Sequence, residues 1–92
     1  MNIELAKILQ DIKYNDTNYD IRYNLIIKAM TLAAECGYNI GFRVDESGWP
    51  IVIIHLDEGQ ISWHMPPDNT NYDGHDTDEK YKRIDLFCNK YL

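Results

Sequence analysis

The stretch YNIGFRVDESGWPIVIIHLDEGQISWHMPP, residues 38–67, decides the fold. Tyr38, Ile40, Phe42 and Val44 alternate with small or polar residues, the period of a half-buried strand. DESG then turns the chain, and WPIVIIHL reads as a second strand with Pro50 near its start, where a missing N–H is tolerated. DEG turns again, and QISWHM reads as a third strand ended by Pro66-Pro67. Connections this short make an antiparallel meander. The run Ile51-Val52-Ile53-Ile54 is apolar on both faces, which suits a central strand covered by helix on one side, with room for a partner on the other. A three-residue loop at Asp57-Glu58-Gly59 sets Ile53 opposite Trp63 and Val52 opposite His64; a slip of one residue exchanges those neighbours. The simplest choice points Ile61, Trp63 and Met65 inward and Ser62 and His64 outward.

Outside this stretch the period is helical. Ile3, Leu5, Ile8, Leu9 and Ile12 predict a short amphipathic helix over residues 2–13. YNDTNYD interrupts it, and a second helix follows from Asp20 to Cys36, closed by Gly37. On that helix Ile21, Leu25, Ala29, Leu32 and Cys36 form one stripe. Tyr23, Ile27, Met30 and Ala34 form a second, nearly opposite stripe, and Ile26 and Ala33 fill between. The polar strip of Asn24, Lys28, Thr31 and Glu35 is narrow. A helix this apolar must be covered on more than one side, which predicts a homo-oligomer through Asp20–Cys36. The alternative is that the first helix and the sheet cover it completely. A last helix opens near Asp76, where Asp76 and Glu79 have the spacing of a capping box. Its apolar face is Tyr81, Ile84, Phe87, Cys88 and Tyr91. The expectation is one α+β domain over residues 1–92, in the order α-α-β-β-β-α, without repeats.

Composition limits the function. Fifteen Asp and Glu against nine Lys and Arg give a net charge of −6, so a DNA- or RNA-binding face, which needs basic residues to displace counterions, is not expected. No apolar run reaches the length of a membrane span, and the opening MNIELAKILQD is too acidic for a signal peptide. A soluble protein of the cytoplasm is the expectation. Cys36 and Cys88 read as free, buried thiols. No CxxC or HExxH spacing is present, and neither metal nor cofactor is expected.

The candidate site lies in ISWHMPPDNTNYDGHDTDEKYKRIDLF, residues 61–87. His64 stands at a strand end; on its own it reads as a surface histidine. Tyr72, Asp73 and His75 surround Gly74, which permits a tight turn, in a strand-to-helix connection longer than most. The competing reading is an ordered turn in which Asp73 bonds backbone and His75 packs on the helix start. Lys80, Lys82 and Arg83 form the basic cluster of an acidic chain. Lys80 leans toward the sheet, and with Arg83 it suits a phosphate or carboxylate. The competing reading for Arg83 is an i,i+4 pair with Glu79. Asp76, Asp78 and Glu79 make the first turn negative, so side chains rather than helix amides must meet an anion. Trp49 reads as a cap on the apolar layer and His55 as an ordinary strand histidine.

GFRVDESGWPIVIIHLDEGQISWHMP with YDGHDTDEKYKRI, residues 41–84, resembles a family of small phage and prophage proteins. That family pairs a WP-strand-GQ-V/I-SWH-M/I-P segment with a W/Y-DGH-x-T-x-EKY-x-R segment. This chain carries Tyr72 where the family has Trp, preceded by an Asn-rich insertion. The resemblance implies a viral origin rather than a chemistry. By analogy with phage counter-defence factors, it suggests a protein that sequesters a nucleotide signal, a cyclic nucleotide or an ADP-ribose derivative, in a bacterial host. The expected function is therefore a non-enzymatic, homo-oligomeric binding protein. Trp63 or Tyr72 would wall or stack the ligand, His64, Asp73 and His75 would read its hydroxyls or ring nitrogens, and Lys80 and Arg83 would neutralise phosphate. The alternatives are an inhibitor that binds a host enzyme, and an enzyme using His64 or His75 as general base beside Asp73.

Overall fold

The computed structural model describes residues 2–15, 19–65 and 78–92. The elements are α1 (Asn2–Tyr14), α2 (Tyr19–Glu35), β1 (Asn39–Val44), β2 (Pro50–Leu56), β3 (Gly59–His64) and α3 (Asp78–Tyr91). The strands form one antiparallel sheet in the order β1-β2-β3. The chain is thus an α+β fold in the predicted order α-α-β-β-β-α. α1 packs between α2 and α3, with α2 against β1 and α3 against β3, so one helical layer covers one face of the sheet.

Turn chemistry fixes the connections. α2 ends in a Schellman motif, with Tyr38 N–H donating to Ala33 O at 3.0 Å and Gly37 N–H to Ala34 O at 3.1 Å. Gly37, at φ +89°, supplies the left-handed residue this motif needs. In the β1–β2 turn, Asp45 Oδ1 accepts the N–H groups of Ser47 at 2.8 Å and Trp49 at 2.9 Å, the usual role of an acidic residue at a turn start. The β2–β3 turn departs from the expected register. Gly59 pairs with Leu56 across only Asp57-Glu58, so Val52 lies opposite Trp63, Ile53 opposite Ser62 and Ile51 opposite His64. Gly59, at φ +127°, is already part of the strand, and the loop is one residue shorter than the expected Asp57-Glu58-Gly59.

The register settles the faces. Val52, Ile54 and Leu56 share the helix-facing side with Ile61 and Trp63, all within the buried core. On the far face Ile51 and Ile53 are only 5% and 8% exposed, flanked by Arg43 and His64 and by Gly41 and Ser62. The core is completed by Leu5, Ala6, Leu9 and Ile12 of α1, Ile26, Ala29, Met30 and Ala33 of α2, and Ile84, Phe87 and Cys88 of α3. Deleting one of these large side chains would cost about 2–5 kcal/mol.

Two helical faces differ from expectation. Ile3 is half exposed at 52%, because the inward stripe of α1 is Leu5, Ala6, Leu9 and Ile12. The buried residues of α2 are Arg22, Ile26, Ala29, Met30 and Ala33, centred between the two predicted stripes; Leu25, Leu32 and Cys36 of the first stripe pack against the core, whereas Ile21 and Ile27 are each 45% exposed. On α3 the predicted face holds: Ile84, Phe87 and Cys88 are buried, and Tyr81 and Tyr91 pack against them. Asp76 lies outside the described residues. Cys36 and Cys88 are free thiols; Cys88 Sγ donates to Ala6 O at 3.3 Å, and burial pushes its pKa up.

Candidate functional site

One end of the molecule gathers the first turn of α2, the first turn of α3 and the last residues of β3. The side chains that establish this are Arg22 and Lys80. Arg22 sits in phase with the buried stripe of α2 and is 2% exposed, and its Nη1 donates to the carbonyl of His64 at 3.3 Å. Lys80, one turn into α3, holds its ammonium 5.5 Å from the centre of the Trp63 ring, a cation–π distance. Trp63 itself has no exposed surface, and its Nε1–H is buried without a hydrogen-bond partner among the described residues. A buried indole donor left unsatisfied costs about 1–3 kcal/mol. Arg22 thus meets the chain where β3 ends, and Lys80 lies where α3 begins. These are also the two ends of segment 66–77.

Beside Lys80, along the outer edge of β3, is a small polar pocket of about 80 Å³ lined by Gln60, Ile61, Ser62, Glu79, Lys80 and Arg83. Ligand sites for drug-sized molecules span roughly 300–1,000 Å³, so this pocket fits a phosphate-sized group and not a base. Arg83 is largely committed within it. Its Nη2 donates to Glu79 Oε1 at 2.6 Å, and its Nη1 to Gln60 O at 2.5 Å. A Cβ on Gly59 would stand 2.8 Å from Arg83 Nε. The absence of that atom is what lets the guanidinium lie across the hairpin. Arg83 therefore fastens α3 to the edge of β3 and caps a backbone carbonyl that an edge strand would otherwise leave open.

The predicted site residues thus separate. Trp63 and Lys80 come together at the helix-facing end. The Trp63 ring, its Nε1–H included, belongs to the core and cannot stack a ligand. Arg83 lies one turn further along and acts as a clamp. His64 points to the opposite face, its side chain 53% exposed, with Nε2 3.4 Å from Asp45 Oδ2; only its backbone carbonyl joins the end described above. Tyr72, Asp73 and His75 lie outside the described residues. Arg22 is the residue that sequence reasoning missed. The signal was an arginine four residues before Ile26, in phase with the buried stripe. Among the described residues no His, Cys, Asp and Glu cluster could hold a metal ion, and no helix is long and apolar enough to cross a membrane.

Fold and site together define a small α+β domain in which Arg22 of α2 and Lys80 of α3 each contact the end of β3. The chain belongs to the WDGH domain family, whose family model matches residues 7–87. Neither the curated proteins nor the solved structures contain a match.

Proposed function

We propose that the protein is a non-enzymatic binding protein of phage type, which sequesters an anionic, nucleotide-derived signal in the cytoplasm of a bacterial host and so counters its defence. The ligand class is the cyclic nucleotides or the ADP-ribose derivatives. The observation that carries this reading is Lys80 at the wall of a polar pocket of phosphate size, in an otherwise acidic chain. Lys80, which lines that pocket with Gln60 and Ser62, neutralises a phosphate of the ligand. Segment 66–77 supplies the polar groups that read the rest of the ligand, through Tyr72, Asp73 and His75. Read as one-letter codes, the family's name spells Trp-Asp-Gly-His, and Tyr72-Asp73-Gly74-His75 is the stretch of this chain that approaches it. The protein acts as a homo-oligomer, since α2 leaves Ile21, Tyr23 and Ile27 exposed.

Isothermal titration of the whole chain with ADP-ribose, cyclic diadenylate and inorganic phosphate tests the reading. Saturable heat with one of the nucleotides is expected, weakened at least about tenfold in Lys80→Gln, a loss of about 1.4 kcal/mol. Folded protein that gives no heat with either nucleotide would contradict it.

A further inference from the structure

The two edges of the sheet are treated differently. α3 and the Arg83 guanidinium cover the edge of β3. β1, the other edge, is a six-residue strand whose helix-facing side chains stay exposed: Ile40 at 41%, Phe42 at 71% and Val44 at 66%. Next to it, between α2 and the sheet, runs an apolar groove of about 400 Å³ whose walls include Ile27, Met30, Ala34, Ile40, Phe42 and Val52. A bare edge beside an apolar groove invites strand addition.

We infer that a second copy of this chain docks edge to edge on β1, continuing the sheet through a twofold axis at Phe42 and filling the α2–β1 groove of each copy with apolar side chains of the other. This rests on the self-association part of the proposed function and not on its ligand.

Three arguments select this occupant. The first is parity. Residues directly opposite each other in an antiparallel pair share a face, so a symmetric β1 pair that keeps Ile40, Phe42 and Val44 on one side must be centred on a residue and not between two. Centred on Phe42, it places Phe42 opposite Phe42 of the second copy and Ile40 opposite Val44, uniting the apolar side chains of both strands. The second is charge. In that register Arg43 faces Gly41 of the second copy, whereas centring on Arg43 would oppose two like charges. The third is area. Ile27 of α2, which lines the groove, with Ile40, Phe42 and Val44 of β1 are 41–71% exposed. At about 150–200 Å² per side chain they offer roughly 400 Å² per protomer. Two copies then bury about 800 Å² from these side chains alone, to which the paired backbone and the rim add what a stable interface of about 1,000 Å² needs. An isologous pair closes on itself and forms no fibre.

Sedimentation velocity at sub-millimolar concentration tests the inference, with circular dichroism as a check of folding. The wild-type chain is expected to be a dimer. Phe42→Glu, a change at an exposed position, should be a folded monomer that still binds nucleotide as the wild type does. Phe42→Cys should form a disulfide-linked dimer under mild oxidation, with the wild type and its Cys36 and Cys88 as control. A monomeric wild-type chain would overturn the inference and leave the exposed strip to a host protein. A Phe42→Glu dimer that Ile27→Glu dissociates would overturn it as well, assigning the contact to α2 alone. Loss of nucleotide binding with the dimer intact would count against the ligand reading only.

Discussion

Replacing Gly59 with alanine decides whether Arg83 is a clamp or a ligand group, and the structure sets the size of the effect. The new Cβ would stand 2.8 Å from Arg83 Nε and 3.1 Å from its Cδ and Cζ, on a backbone at φ +127°. Holding a non-glycine residue at such a φ costs about 1–2 kcal/mol. The clash must also move the guanidinium off Gln60 O. A hydrogen bond to a charged group is worth about 1.5–3 kcal/mol, and the lower end applies because the Arg83 side chain keeps 30% exposure. The pair with Glu79, whose side chain is 71% exposed, adds only about 0.3–0.5 kcal/mol. Gly59→Ala should therefore destabilise the fold by about 2–4 kcal/mol and Arg83→Ala by about 1.5–2 kcal/mol. Urea denaturation of both single variants and the double variant completes a cycle. Once Arg83 is gone the Cβ has nothing to displace, so the double variant should fall short of the summed effects by about 1 kcal/mol or more. Strictly additive losses would refute the clamp and return Arg83 to the candidate ligand groups.

Three further outcomes follow from particular contacts. Lys80→Met keeps the aliphatic packing on Trp63 and removes the charge, so stability to urea should change by no more than about 1 kcal/mol, while nucleotide affinity falls about tenfold by titration calorimetry. Lys13→Met breaks an exposed bridge from α1 to Asp85 of α3, 2.9 Å long; it should cost under about 1 kcal/mol, with the difference from wild type vanishing in high salt. Tyr38 has its pKa pushed up from 10.0 to about 12, by burial first and then by hydrogen bonding with Tyr91. The folded state thus holds this proton longer than the unfolded chain does. That contribution to stability is complete below pH 10 and is lost as the pH rises through about 12. Absorbance titration at the phenolate band should show a late ionisation step, and Tyr38→Phe should remove it.

The strands were legible because Ile61, Trp63 and Met65 alternate without interruption, and α3 because Ile84, Phe87 and Cys88 keep helical spacing. The register was not, since Gly59 can end a loop or begin a strand, and only its packing under Arg83 decides between them. α2 misled for a related reason. Apolar residues nearly encircle it, so periodicity alone could not choose a face, and the face that is buried includes an arginine. Composition tables place Arg outside; it is the position of Arg22 beside the end of β3 that makes its burial intelligible. Of the candidate site, Lys80 could be placed from its lean toward the sheet. Tyr72, Asp73 and His75 lie outside the described residues.

The most direct test of the ligand site is the indole resonance of Trp63 in a ¹⁵N-labelled chain, assigned with a Trp49→Phe variant. Titration with ADP-ribose or cyclic diadenylate should shift the Trp63 Nε1–H signal as a ligand phosphate draws on the Lys80 ammonium over its ring, with the Trp49 signal unchanged. A Trp63 signal that stays in place at saturation, while other residues report binding, would contradict the assignment of the ligand to the Lys80 end of the fold.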